Sequence, residues 1–228
     1  MTKYIPNFIT CLNLFCGCVS IVFTFSDRLD FAAYFILFAA IFDFLDGTFA
    51  RLLKAYSEIG KQLDSLADMV SFGVAPASIM YKLLLSTATF QLGWIVAFSA
   101  YIIAIFSALR LAKFNIDARQ SESFIGLPTP ANAIFICSLT LSNTLALTGN
   151  IFLLSAVTLV FSYLLVAELP LFSFKFKSFD WKNNKIRYIF VVISMFLLLF
   201  LNWNGLAIAI LIYITTSLII FIYQRKAV

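Results

Sequence analysis

Not one histidine occurs in this sequence, and that absence removes two large classes of chemistry, the His-ligated zinc centre and the histidine general base. Charge is scarce as well. Only 12% of the residues are Asp, Glu, Lys or Arg, and only 11 are acidic. A composition that is 62% hydrophobic and 17% aromatic, with a mean hydropathy of +0.99, excludes an ordinary soluble domain. The four cysteines, Cys11, Cys16, Cys18 and Cys137, lie in apolar segments without a CxxC spacing, so they read as small buried hydrophobes. Internal repeats, low-complexity tracts and domain linkers are also missing, which makes residues 1–228 one catalytic or binding unit. The opening stretch MTKYIPNFIT has one lysine and an early proline, and the first apolar run reads as a retained helix.

What is present is membrane sequence. Apolar runs of about 20 residues, enough to cross a hydrocarbon core of ~30 Å at ~1.5 Å per residue, recur along the chain. Eight are expected, at about 5–25, 30–54, 58–85, 89–114, 129–148, 151–174, 187–201 and 204–224. The fold class is therefore all-α, a polytopic transmembrane helical bundle. With the N-terminus cytoplasmic, 14 of the 16 Lys and Arg fall in or beside cytoplasmic segments, including Lys3, Arg119, Lys175 and Lys177. Only Arg28 and Lys82 lie outside, so both termini are expected on the cytoplasmic side. The net charge of +5 then reflects topology rather than nucleic-acid binding, and a basic cytoplasmic rim attracts anionic headgroups and phosphates.

Against this background the stretch DFLDGTFARLLKAYSEIGKQLDSLAD, residues 43–68, holds five of the 11 acidic residues, four of them aspartates. Asp43, Asp46, Gly47 and Ala50 are spaced i, i+3, i+4 and i+7, and share one helix face. Gly60, Asp64 and Asp68 are spaced i, i+4 and i+8 on the next helix. A turn at Ala55–Ser57 makes the two helices antiparallel. Counting back from it at 1.5 Å per residue puts Asp64 and Asp46 about 9 and 12 Å deep, and Asp68 and Asp43 about 15 and 16 Å deep. Four carboxylates converging below the interface repel one another unless a cation compensates them. Clustered Asp oxygens suit hard cations, Mg²⁺ or Mn²⁺ first, and such ions share their shell with substrate phosphates. Two ions clamping a transferring phosphoryl group is the chemistry that fits. Gly47, Ala50 and Gly60 let a flat ligand approach the backbone, and Arg51 answers phosphate charge; tight helix packing and an interfacial arginine are the alternative. A cation transporter would also use intramembrane acids, but no repeat or broken helix accompanies these.

The same stretch matches, without a gap, the pattern D-x2-D-G-x2-A-R-x8-G-x3-D-x3-D, and by it the chain resembles the CDP-alcohol phosphotransferase family. That resemblance implies a helical membrane bundle, a homodimer, and a site with two divalent ions, Mg²⁺ or Mn²⁺. It implies Asp43, Asp46 and Asp64 as ligands, with Asp68 as a further ligand or as the base for the acceptor hydroxyl. Gly47 and Ala50 would lie against the CDP moiety, with Arg51 and Gly60 beside it. IPNFITCLNLFCG (5–17), LDSLADMVSFGVAPA (63–77), ALRLAKFN (108–115) and FIGLPTPANA (124–133) look like the branch of this family that uses serine as acceptor, and AELPLFSFKFK (167–177) is similar too. The resemblance covers about 3–135, and the last two helices are generic membrane sequence.

The branch implies transfer of the phosphatidyl group from CDP-diacylglycerol to L-serine, at a site facing the cytoplasm, in the cytoplasmic membrane if the source is bacterial. Glycerol 3-phosphate, inositol phosphate or choline are the other acceptors a relative could use. By the same resemblance Asn7, Thr10 and Asn13 face the nucleotide, although they could equally bond neighbouring helices. Arg110, Lys113 and Asn115 end the fourth span, where they suit an anionic acceptor or lipid phosphate, or simply the cytoplasmic rim. In GLPTPANA, Gly126 and the prolines make a turn, with Thr129 expected as N-cap and Pro130 as the first helical residue.

Overall fold

The computed structural model describes residues 4–88, 92–117, 124–142, 148–171 and 181–226. Among them the protein is helical throughout, apart from one pair of two-residue strands. Four helical stretches, Tyr4–Phe25, Glu58–Thr87, Gly93–Ile116 and Tyr188–Ile222, are long and apolar enough to cross a bilayer, and the chain is an integral membrane protein.

Helices α1 (Tyr4–Phe25) and α2 (Leu29–Leu52) form an antiparallel hairpin joined by three residues. Small side chains let them approach. Ala32, Ala33 and Ala39 of α2 are fully buried, and the Ser20 hydroxyl of α1 donates to the Ala32 carbonyl at 2.8 Å. At the far end of α2 the chain reverses through a left-handed residue, Lys54 (φ 49°). Its N–H bonds Arg51 O at 3.2 Å and the Ala55 N–H bonds Ala50 O at 2.9 Å, the paired bonds of a Schellman cap. Ser57 then caps α3 (Glu58–Asp68), its hydroxyl accepting the Gly60 N–H at 3.0 Å.

The third span is one element in the sequence reading and three in the structure. α3 passes into a π-helical turn, Met69–Val74, and then into α4 (Ala75–Thr87). The π turn packs on α1 where Gly17 faces Ser71; a Cβ on Gly17 would strike the Ser71 hydroxyl and lie 2.8 Å from its Cα. Pro76 follows the π turn directly, in the first turn of α4. The fourth span is α5 (Gly93–Phe98), a 3₁₀ turn (Ser99–Tyr101) and α6 (Ile102–Ile116). At the end opposite the aspartates, Lys82 of α4 pairs with Asp27 of the α1–α2 turn at 2.6 Å, beside Arg28. These are the two cations that the charge pattern sets apart from the rest.

Several expected boundaries shift. α7 (Thr129–Leu141) begins one residue before expectation, capped by Pro128, and the Thr129 hydroxyl caps nothing; it is buried in the helix's first turn. α8 (Ile151–Val166) stops well before 174 because the chain turns at Ala167 and enters β2 (Pro170–Leu171). β2 pairs antiparallel with β1 (Phe124–Ile125), Phe124 opposite Leu171, and Gly126 and Leu127 donate to Leu169 O and Leu164 O. Residues 3, 119, 175 and 177, used for the charge pattern, lie outside the described residues. The two terminal spans form one helical run, α9 (Trp181–Lys226), broken at Asn202 (φ 50°, ψ −131°). A Cβ on Gly205 would meet the Leu197 carbonyl. In a continuous helix those residues stand about 12 Å apart, so the chain doubles back at Asn202 into two spans. All four cysteines are free; Cys16 and Cys137 are buried as expected, whereas Cys11 and Cys18 are exposed.

Gly17→Ala is expected to destabilise the fold by about 1–3 kcal/mol, because the added methyl meets backbone as well as a side chain. Thermal unfolding in detergent micelles measures it, and an unchanged midpoint would show that α1 and the π turn separate at no cost.

Candidate active site

The Schellman turn and the Ser57 cap set α2 and α3 side by side, and their aspartate faces meet. Carboxylate oxygens of Asp43, Asp64 and Asp68 all lie within 4.8 Å of one another. Asp46 is the fourth member. It is 5% exposed, one of its oxygens accepts the Thr10 hydroxyl at 2.7 Å, and it stands within electrostatic reach of the other three. Asp68 is buried too, at 9% exposure, and its Oδ1 accepts the Asn13 amide at 3.2 Å.

The donor set is all oxygen and anionic, and among the described residues none of these carboxylates forms a salt bridge. Three carboxylates at this spacing fit a hard divalent cation, which would remove their mutual repulsion. The residues present therefore suit the Mg²⁺ or Mn²⁺ expected from the sequence.

Beside the cluster opens a cavity of about 840 Å³. Asp43, Asp46, Gly47, Ala50 and Arg51 of α2 line one wall, Gly60, Lys61 and Asp64 of α3 another, and Asn7 and Thr10 of α1 a third. Gly47 faces open space, with no atom within 4 Å of where a Cβ would stand. Gly60 is crowded differently: a Cβ there would lie 2.9 Å from Asn7 Oδ1 and from Ser57 Oγ. Arg51 folds back along α2, its Nε donating to Gly47 O at 3.0 Å, at the cavity wall.

Four expected residues fall elsewhere. Asn13 is fully buried behind Asp68 and does not line the cavity. Asn115 spends its amide on Ser65 Oγ at 2.8 Å, while its carbonyl accepts Lys61 Nζ at 3.3 Å, so it clamps the end of α6 to α3. Arg110 and Lys113 open onto a second, small recess shared with Asp117, Ile125 and Glu168. Arg110 joins the two regions. It is 6% exposed, its Nε has no hydrogen-bond partner, and its guanidinium lies within electrostatic reach of Asp68 and Tyr213. Lys61, Tyr56 and Phe114 of the cavity, and Tyr213 of the last span, are additions that the sequence reading missed. Lys61 had a signal, sitting one residue past a motif glycine; Tyr213 had none, being embedded in uniform apolar sequence.

The site is thus an intramembrane carboxylate cluster that could hold a metal, opening on a ligand-sized cavity, as a membrane-embedded enzyme would have it. The comparison with known families agrees: the CDP-alcohol phosphatidyltransferase profile matches residues 3–167, and the chain belongs to that family. A Bacillus subtilis relative called CDP-diacylglycerol–serine O-phosphatidyltransferase is 38% identical over 173 residues, 76% of this chain and 92% of the relative. Proteins of the same name from Mycobacterium leprae and Saccharomyces cerevisiae are 40% and 38% identical over 144 and 152 residues. These alignments span 46% and 52% of those two longer relatives, and 60% and 58% of this chain.

Asp64→Asn is expected to weaken Mn²⁺ binding by about 10-fold or more and, in metal-free protein, to raise the unfolding midpoint by relieving repulsion. Free Mn²⁺ measured by electron paramagnetic resonance, with a parallel thermal melt, checks both directions.

Proposed function

We propose that this protein transfers the phosphatidyl group of CDP-diacylglycerol to the hydroxyl of L-serine, giving phosphatidylserine and CMP. One observation carries the reading: three carboxylates lie within 4.8 Å of one another, and two of them, Asp43 and Asp64, line a nucleotide-sized cavity. The relatives' shared name supports the donor and the acceptor.

Asp43, Asp46 and Asp64 would hold divalent ions, Mg²⁺ or Mn²⁺, two of them by the family resemblance, and Asp68 would complete the set. When bound, these ions supply electrophilic stabilisation of the diphosphate and of the departing CMP. The cytidine moiety lies against Gly47, Ala50 and Gly60, where side chains are absent or small, with Asn7 and Thr10 opposite. Arg51 and Lys61 offset diphosphate charge at the rim. Asp68 receives the serine hydroxyl proton as that oxygen attacks the phosphorus bearing diacylglycerol; the bond to the CMP oxygen breaks and CMP leaves. Arg110 and Lys113 receive the serine carboxylate.

The second recess favours serine over phosphorylated acceptors. Arg110 and Lys113 face Asp117 and Glu168 there, a mixture of signs that suits a zwitterion and opposes a dianionic phosphate. The distribution of Lys and Arg supports a cytoplasmic mouth for the site, in the cytoplasmic membrane if the source is bacterial, and a homodimer is the assembly proposed from the family.

CMP release by purified protein in detergent, with CDP-diacylglycerol and Mg²⁺ or Mn²⁺, tests the assignment. Release is expected with L-serine and not with glycerol 3-phosphate, and Asp68→Asn is expected to lower it by about 100-fold or more. Release that follows glycerol 3-phosphate would keep the family and overturn the acceptor. Gly47→Leu is expected to keep the unfolding midpoint, since it adds atoms only into open space, while raising the KM for CDP-diacylglycerol at least about 10-fold.

A further inference from the structure

We infer that Asn13 is a positioning residue for Asp68, and that Ser71 and Gly17 fix Asn13 in place. The inference rests on Asp68 as the group that receives the acceptor proton.

Asn13 has no exposed surface, lines neither cavity, and donates its amide to Asp68 Oδ1 at 3.2 Å. A carboxylate accepts only, so the amide nitrogen has to be the atom that faces it. The carboxyl torsion of an unrestrained Asp is broad and roughly two-fold. Committing Oδ1 to Asn13 sets that torsion and leaves Oδ2 to face the other aspartates and the substrate. The other half of the amide is left without a partner: Asn13 Oδ1 is buried and unbonded. A residue there only to fill space avoids that cost by being apolar.

Asn13 is itself held from α3's continuation. The Ser71 hydroxyl donates to the Asn13 main-chain carbonyl at 2.9 Å. Ser71 can come that close because Gly17, one turn further along α1, presents no side chain to it. The π turn that begins directly after Asp68 carries Ser71 onto this face of α1. Asp68 and the residue that anchors its partner are thus three positions apart in one segment, and both bond the same asparagine. Thr10, one turn earlier on α1, makes the equivalent contact to Asp46 at 2.7 Å.

Polar residues also join membrane helices without any part in chemistry, and the two roles separate kinetically. Asn13→Leu keeps the number of side-chain heavy atoms and deletes the amide. For serine-dependent CMP release, kcat is expected to fall about 10- to 100-fold, the scale of a misplaced reacting group, with the KM for CDP-diacylglycerol and for serine within about two-fold. Mn²⁺-dependent CMP binding, measured by calorimetry, is expected to persist and reports that the site is folded. Ser71→Ala, a smaller change that keeps the amide, is expected to lower kcat by about 3- to 10-fold at unchanged KM, and it decides the matter if the leucine variant does not bind CMP. Unchanged kcat in the folded variants, or a raised KM for CDP-diacylglycerol at unchanged kcat, overturns the positioning role. Asp68→Asn with full activity overturns the proton-acceptor reading, and this inference with it. Asp68→Asn inactive beside fully active Asn13→Leu and Ser71→Ala overturns this inference alone.

Discussion

Like charges held close together in a poorly polarisable medium govern this structure. Two unit charges at the separation of these carboxylates repel by about 3–4 kcal/mol at an effective dielectric constant near 20, and the cluster contains several such pairs. Nothing in the local geometry of α2 and α3 relieves this. The Schellman turn and the Ser57 cap hold the two helices in the very register that brings the acids together. Such an arrangement could hold a cation, and the proposed phosphate ester would meet it in the cavity beside the cluster.

The remaining architecture serves as a frame for that cluster. Helix α1 supplies it most directly, with Thr10 and Asn13 on one face reaching Asp46 and Asp68, and Ser20 further along pinning α2. The small residues of the hairpin matter because hydrocarbon offers helices no hydrophobic reason to associate; close backbone approach and interhelical hydrogen bonds have to do so. The clamp of Asn115 on Ser65 then brings the end of α6, and with it Arg110, to the rear of Asp68.

Much of this was legible in the sequence, and for identifiable reasons. Asp43, Asp46, Asp64 and Asp68 stand at helical spacing on either side of a short turn, so periodicity and rise per residue suffice to predict their convergence. Long apolar runs announce membrane helices in the same way. What the sequence hides is side-chain destination. Asn13 and Asn7 look alike as polar residues on α1, yet one is sealed behind Asp68 and the other lines the cavity, a difference of about 120° of helix rotation that only packing fixes. Asn115 reads as a ligand and turns out to be a clamp, because its partner Ser65 is 50 residues away. The π turn after Asp68 also has no signal in composition, and the early end of α8 follows from a distant strand partner, with Phe124 opposite Leu171 and Ile125 opposite Pro170.

The reversal at Asn202 bears on how the protein is made. The segments on its two sides touch at Leu197 and Gly205, so they form a helical hairpin whose open ends lie on one face of the bilayer. The turn, Asn202-Trp203-Asn204, carries no formal charge. Carrying those residues across the hydrocarbon during insertion therefore costs far less than carrying an ionised side chain, and the tryptophan is of the type that settles at a membrane interface. The last two spans are thus suited to enter the membrane together, as a prefolded pair, after the catalytic half of the chain is already in place.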